Sequence, residues 1–208
     1  MTKKAEIVIA GGFEEGEALV IMDILRRCGI DCRSAGLTDK EVTGAHAITM
    51  MCDKTLDETT KEADMIILPG GYGGTEAMGG SEYLREVLLS MNSSGKYVCA
   101  ICAAPEVLFK AGLLKDKKFT AYPGYEEKIT DGTYLTDLVV KDGIIITGRG
   151  PSVAYAFGYY LAEVLGADVQ PVKDKMLYDH AFDPSAVNPP RRPHAYLGSA
   201  MPPFLPIW

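Results

Sequence analysis

Short apolar runs alternate along the chain with longer stretches in which apolar residues recur at helical spacing. Glu6–Ala10 (EIVIA) is the first run, and it stops at Gly11-Gly12 as a strand entering a turn does. From Glu15 to Cys28 the pattern is helical, with positions 17, 21, 24 and 28 on one face and Gly29 closing the segment. Ile30–Ala35 predicts a second strand, and Ala47–Met51 an edge strand or hairpin arm. Asp64–Leu68 (DMIIL) predicts a buried strand broken by Pro69-Gly70-Gly71, and Ser81–Met91 a helix. Tyr97–Ile101 (YVCAI) is apolar throughout, as a strand covered on both faces should be. Ala104–Ala111 predicts a helix with Pro105 in its first turn and Gly112 beyond its end. Lys118–Thr120, Leu138–Val140 and Ile144–Thr147 predict short strands, and Gly150-Pro151 opens a last helix reaching Leu165 before Gly166.

Strands alternating with helices in this way predict an α/β fold, a mostly parallel sheet with helices on both faces. Such sheets bind ligands at the carboxyl ends of their strands. Gly11-Gly12, Gly70-Gly71, Cys102-Ala103 and Gly148-Arg149-Gly150 follow apolar strands, so these four segments should meet at one edge. The α/β domain is expected to span residues 1–172, ending near Val172 after the last helix and a short strand. Residues 173–208 form a C-terminal extension, and seven of the chain's 12 prolines lie from Pro184 onward. Those prolines forbid regular helix and central strand. Two readings stay open: a flexible or non-native appendage such as a cloning or read-through scar, or an extended arm that docks Tyr196, Phe204 and Trp208 on a surface.

A chain of 208 residues with 47% apolar and 24% charged residues can bury a full core without staples. The net charge of −7 argues against nucleic acid or anionic membrane as a partner. No apolar run reaches the roughly 18–20 residues that span a bilayer, and the first residues lack a signal-peptide core, so a cytoplasmic location is expected. The five cysteines, an odd number, do not suggest a disulfide framework.

Cys102 stands at a strand-to-helix junction between small residues, in Ala100-Ile101-Cys102-Ala103-Ala104. That pattern resembles a nucleophile elbow, where the helix N-terminus would favour thiolate over thiol; a buried packing cysteine is the alternative. Cys99, three residues earlier in the strand, should point to the other face and pack in the core. Neither a metal set nor a redox pair forms from these residues, and no metal or cofactor is expected. Glu17 lies on the apolar face of the first helix, where a buried carboxyl group would stay protonated or share a proton, and could act as general acid or base beside a thiolate. Glu14 and Glu15 are read as first-turn acids that complement the helix dipole. Gly70-Gly71-Tyr72-Gly73-Gly74 lacks the glycine and the Gly-Lys-Ser/Thr of nucleotide loops. Its Gly71 N–H could instead face a developing oxyanion. Tyr122 and Arg149 could line the same edge, with ordinary loop packing as the alternative.

Glu14-Glu15-Gly16-Glu17, Leu68-Pro69-Gly70-Gly71, Ala100-Ile101-Cys102-Ala103-Ala104-Pro105 and Thr147-Gly148-Arg149-Gly150-Pro151, in this order and spacing, resemble the DJ-one/ThiJ/PfpI superfamily over roughly residues 4–170. The resemblance implies a flavodoxin-like sandwich and a homodimer. It implies Cys102 as the elbow nucleophile and Glu17 as the acid beside it, with the N–H groups of Gly71 and Ala103 around the reacting oxygen. Protease-like members carry His directly after the elbow cysteine; here that position is Ala103, which argues against a protease or glutamine amidotransferase. Close relatives in the parkinsonism-associated branch carry a His where this chain has Tyr122, and Tyr122-Pro123-Gly124 resembles a bacterial ThiJ-like subgroup. His46 falls near the family's dimer contact.

The function that follows from the resemblance is a cofactor-independent glyoxalase or deglycase acting on small α-oxoaldehydes through Cys102 and Glu17. The alternative is a redox-sensing or protective protein in which Cys102 itself is oxidised.

Overall fold

In the computed structural model, which describes residues 2–181, the chain runs β1 (Lys4–Ile9), α1 (Glu15–Arg27), β2 (Asp31–Gly36), β3 (Glu41–Thr43), β4 (Thr49–Met51), β5 (Lys54–Thr55), β6 (Met65–Leu68), α2 (Tyr72–Gly79), α3 (Glu82–Ser93), β7 (Tyr97–Ile101), α4 (Pro105–Lys110), β8 (Lys117–Phe119), β9 (Gly132–Tyr134), β10 (Val139–Asp142), β11 (Ile145–Gly148), α5 (Ala154–Val164) and α6 (Gln170–Lys175). Seven strands pair in the order β10-β11-β7-β6-β1-β2-β5, parallel except for the β10–β11 edge. This is the α/β sandwich that the alternation of strands and helices predicts.

The central strands are apolar on both sides because both sides are covered. Val8, Ile66, Leu68, Val98 and Ala100 pack with Leu84, Val87, Leu88 and Met91 of α3 and with Val107 and Leu108 of α4. Their strand neighbours Ile7, Ile9, Met65, Ile67, Cys99 and Ile101 alternate with them and are equally buried. On that second face lie α1 and α5, so closely apposed that a Cβ on Gly158 would lie 3.0 Å from Ile24 Cδ1. Each buried Ile or Leu contributes roughly 1.5–3 kcal/mol, so the four residues of β6 hold it at the centre of the sheet. α1 begins where Glu14 caps it and ends at Cys28, with Gly29 in the left-handed region at φ 78°.

Two of the expected short elements stand apart from the main sheet. Lys117–Phe119 pairs with β9 in a two-stranded sheet, and Thr49–Met51 is one arm of a β3–β4 hairpin, the second of the two readings of Ala47–Met51. Helix α2 differs from the sequence expectation. The glycine-rich segment after Gly71 is helical from Tyr72, because Gly73 and Gly74 let α2 lie against the backbone of Gly12 and Phe13: a Cβ on Gly74 would lie 2.9 Å from Phe13 Cα.

The described chain divides into two units, one ending at Asp168 and the other beginning at Val169. Within the second, Gln170–Lys175 is a helix with Pro171 in its first turn, where a short strand was expected. The Gln170 side-chain amide donates to Asp174 at 2.9 Å and to Asp179 at 3.2 Å. The proline-rich stretch from Pro184, with Tyr196, Phe204 and Trp208, lies outside the described residues. Among the described residues no helix is long and apolar enough to cross a membrane.

Candidate active site

The four glycine-bearing or small-residue segments do converge at the carboxyl edge of the sheet. Cys102 follows β7 directly with φ 64°, in the left-handed region that a side-chain-bearing residue seldom adopts. Both of its backbone groups are held. Its N–H donates to the Gly148 carbonyl at 2.9 Å, and its own carbonyl accepts from the Tyr122 N–H at 2.8 Å. Small neighbours allow the turn: Ala103 and Ala104 complete it, and Pro105 starts α4 without needing an N–H partner. Cys102 is 8% exposed, while Cys99 is fully buried on the strand behind it.

Glu17 reaches this turn from the first helix. Its side chain is fully buried, and its Oε2 accepts from the Gly70 N–H at 2.6 Å. Gly70 separates the carboxyl group from the elbow. A Cβ placed there would lie 2.8 Å from Glu17 Oε2, 2.7 Å from Cys102 Cβ and 3.1 Å from Cys102 Sγ. Gly71 is a glycine for a different reason: its φ is 90°, and a Cβ would press on the backbone of Gly12, Phe13 and Glu14. That conformation aims its N–H at the Cys102 sulfur, which the Ala103 N–H also approaches. The two amides that the resemblance places around a reacting oxygen thus both act on the sulfur.

The carboxyl and thiol groups perturb one another. Burial pushes Glu17 up to about 7, opposed by the Gly70 N–H and by Cys102, while the charge of Glu14 adds to the rise. Burial also pushes the Cys102 thiol up, and the Glu17 carboxylate pushes it further, against the pull of the Ala103 and Gly71 amides. The helix terminus therefore does not by itself hold the thiol down, contrary to the sequence expectation. α4 is only six residues long, and burial together with Glu17 outweighs the two amides at the sulfur. The geometry brings together two buried acids whose titrations are coupled. Glu17 Oε1 is buried and makes no hydrogen bond of ordinary geometry, although the thiol acts on the same carboxyl. With the proton on Glu17, the anionic repulsion of the sulfur vanishes and two amides face the thiolate. Cys32 and Cys99 lack such donors, and burial pushes Cys32 up to about 12 and Cys99 well above its ordinary value.

The remaining sequence candidates are placed less centrally. Tyr122 contributes its N–H to the elbow, while its side chain is 43% exposed and lies beside Gly150. Arg149 follows β11 and donates from its guanidinium to the Thr136 carbonyl. His46 sits in the β3–β4 hairpin turn and pairs with Glu15, Nδ1 to Oε2 at 2.8 Å.

Three residues were misjudged or unassigned in the sequence. Glu15 is 4% exposed, and its Oε1 accepts from the His46 N–H at 2.6 Å. It clamps the hairpin turn to α1 instead of merely complementing a dipole, and this donor set holds its carboxyl below the usual range despite burial. Glu14 caps α1 through its side chain, and Gly70 supplies the Glu17 partner. The Glu14-x-x-Glu17 spacing carried the first signal, since a capping side chain meets the N–H three residues on. Glu14, Glu15 and His46 bring possible ligand atoms within 4.8 Å of one another. These side chains already accept from the Glu17 N–H and the His46 N–H, so the cluster is accounted for as capping and clamping.

The DJ-1/PfpI family model matches residues 3–164. Protein dj-1beta of Drosophila melanogaster is 40% identical over 169 residues, 79% of this chain and 90% of the relative. Its crystal structure superposes with a TM-score of 0.82 at 39% identity, covering 85% of this chain and 98% of that one. Glutathione-independent glyoxalase DJR-1.2 of Caenorhabditis elegans is 34% identical over 155 residues, 73% of this chain and 82% of the relative. Oxidized Toxoplasma gondii DJ-1 superposes with a TM-score of 0.80 at 30% identity, covering 85% of this chain and 98% of that one.

Proposed function

The chain belongs to the DJ-1/PfpI family, and we propose that it is a cofactor-independent glyoxalase or deglycase acting on small α-oxoaldehydes. The observation that carries this reading is the buried Glu17 carboxyl group beside Cys102, held by the Gly70 N–H with its second oxygen uncommitted. The relative named a glutathione-independent glyoxalase supports the reaction class.

In the reactive form the proton resides on Glu17 and the sulfur is anionic. The thiolate attacks the aldehyde carbon, a C–S bond forms, and the carbonyl electrons move to oxygen between the Gly71 and Ala103 N–H groups. Glu17 gives its proton to that oxygen, which yields a hemithioacetal and leaves a carboxylate. The carboxylate then takes the hydrogen from the former aldehyde carbon and returns a proton to the adjacent carbon through an enediol, producing a thioester. Water attacks the thioester, the C–S bond breaks, and a 2-hydroxy acid leaves while the pair regains its one proton. Methylglyoxal plus water thus becomes lactate, with no net oxidation.

The experiment is turnover of methylglyoxal to lactate by wild type, Cys102→Ser and Glu17→Gln. A deglycase would instead release the amine from a hemiaminal carbon, the C–S bond forming as the C–N bond breaks and the leaving amine takes the Glu17 proton, and assay of glycated amines separates the two. The alternative reading is a redox-sensing or protective protein. It is favoured by the two amides facing the Cys102 sulfur, which would equally receive the oxygens of an oxidised sulfur, and by the oxidized relative. Catalytic turnover is what separates the readings. A cytoplasmic homodimer belongs to the same proposal, with Ile48 and Met51, 51% and 64% exposed on the β3–β4 hairpin, as apolar surface for a second copy.

A further inference from the structure

We infer that Glu14 is a positioning residue for the Glu17–Cys102 pair, closing a ring of hydrogen bonds that fixes the Glu17 carboxyl against the elbow and holding a negative charge behind it. The ring has three bonds. The Glu14 N–H donates to the Gly70 carbonyl at 3.0 Å. The Gly70 N–H donates to Glu17 Oε2 at 2.6 Å. The Glu17 N–H donates to Glu14 Oε2 at 2.5 Å. An ordinary N-cap ties a helix to its own preceding residue. Here the cap also ties the helix to the loop after β6, which carries both Gly70 and Gly71. Glu17 is therefore held at both ends, its N–H by the Glu14 side chain and its carboxyl group by Gly70.

The charge matters because little else faces Glu17. The groups that act on its titration are the Gly70 N–H, the Cys102 thiol and Glu14; Glu15 is turned the other way, onto His46. An anion at Glu14 disfavours a second anion at Glu17 and so keeps the shared proton on the carboxyl group. The carboxylate that acts most on Cys102 is Glu17. Neutralising Glu14 therefore releases the proton from Glu17 at lower pH and moves the remaining proton toward sulfur.

This role rests on the proposed pairing of Cys102 with Glu17, but its test is independent of aldehyde chemistry. The rate of iodoacetamide alkylation at Cys102 is measured from pH 4 to 9 by peptide mapping for wild type, Glu14→Gln and Glu14→Asp, with methylglyoxal turnover and thermal unfolding in parallel. Glu14→Gln keeps an acceptor for the Glu17 N–H. It should keep its unfolding temperature, shift the acid limb of the alkylation profile down by about one pH unit, and lower the neutral plateau several-fold, roughly tenfold at most. Glu14→Asp keeps the charge and is itself a good cap, so it should retain the wild-type profile. A wild-type profile in folded Glu14→Gln, or a loss in Glu14→Asp equal to that in Glu14→Gln, would overturn the role and leave Glu14 a helix cap. If wild type turns over no methylglyoxal, the glyoxalase reading fails while the alkylation profiles still decide the role of Glu14.

Discussion

Gly70 donates its N–H to Glu17 across 2.6 Å, joining the loop after β6 to the first turn of α1. The acid and the nucleophile come from elements far apart in sequence, and this glycine is the spacer between them. Replacement by alanine puts a methyl group within 2.8 Å of the carboxylate oxygen and 2.7 Å of Cys102 Cβ. Backbone and elbow must shift, at a cost of about 1–3 kcal/mol. Gly70→Ala should lower the midpoint of urea unfolding accordingly and reduce turnover more than tenfold. Unchanged turnover would mean that the separation of the two groups is not critical.

Glu17 should make the protein less stable as pH rises. Its pKa rises from 4.5 to about 7 on folding. Between those values the native state holds more protons than the unfolded state, so stability is greatest below 4.5 and is lost as pH rises through 7. The full effect is on the order of 3 kcal/mol. Glu17→Gln retains an acceptor for Gly70 and does not titrate. Its stability relative to wild type should therefore grow from pH 4.5 to 7.5 and then level off. A constant difference across that window in urea titrations would show that Glu17 is already ionised in the native protein.

Glu15 has the opposite sign. Its carboxyl is held below the usual range, so the stability it contributes is present above pH 4.5 and is lost as pH falls through its folded pKa. Glu15→Ala removes acceptors from the buried clamp on the His46 and Ile48 N–H groups. Each lost buried partner costs about 1–3 kcal/mol. The expected readout is hydrogen exchange at Gly44–Ile48 at least tenfold faster, with the central strands unchanged. Protection as in wild type would assign the hairpin turn to other contacts, such as the 2.8 Å bond from the Ala45 N–H to the Phe13 carbonyl.

Limited alkylation should label Cys102 before Cys28, Cys32, Cys52 or Cys99. Cys102 alone has two N–H groups and a carboxyl group around its sulfur. Cys28 is more exposed but lacks such donors. First labelling at Cys28 would show that exposure outweighs the elbow environment.

The central strands were legible because a strand covered on both faces must be apolar at every position, as in Tyr97–Ile101. The elbow was legible because only small residues fit around Cys102. Helix α2 was hidden by its own composition: Gly73 and Gly74 suggest a loop by local preference, and only the approach of Gly12 and Phe13 explains them. Glu15 was hidden because its burial depends on a hairpin turn some 30 residues away in the chain, where Gly44 leaves room for its carboxylate. The protonation of Cys102 was misjudged for a related reason. The helix dipole is readable from sequence, whereas the desolvation that opposes it depends on packing.

The most direct test of the central claim is the rate of lactate formation from methylglyoxal by the full chain and its Cys102→Ser and Glu17→Gln variants, all shown to be folded. The account predicts steady turnover by wild type, loss of at least a hundredfold in both variants, about 2.7 kcal/mol of barrier or more, and no requirement for added thiol, metal or nucleotide. Turnover in Glu17→Gln within twofold of wild type, or none in wild type, would contradict it.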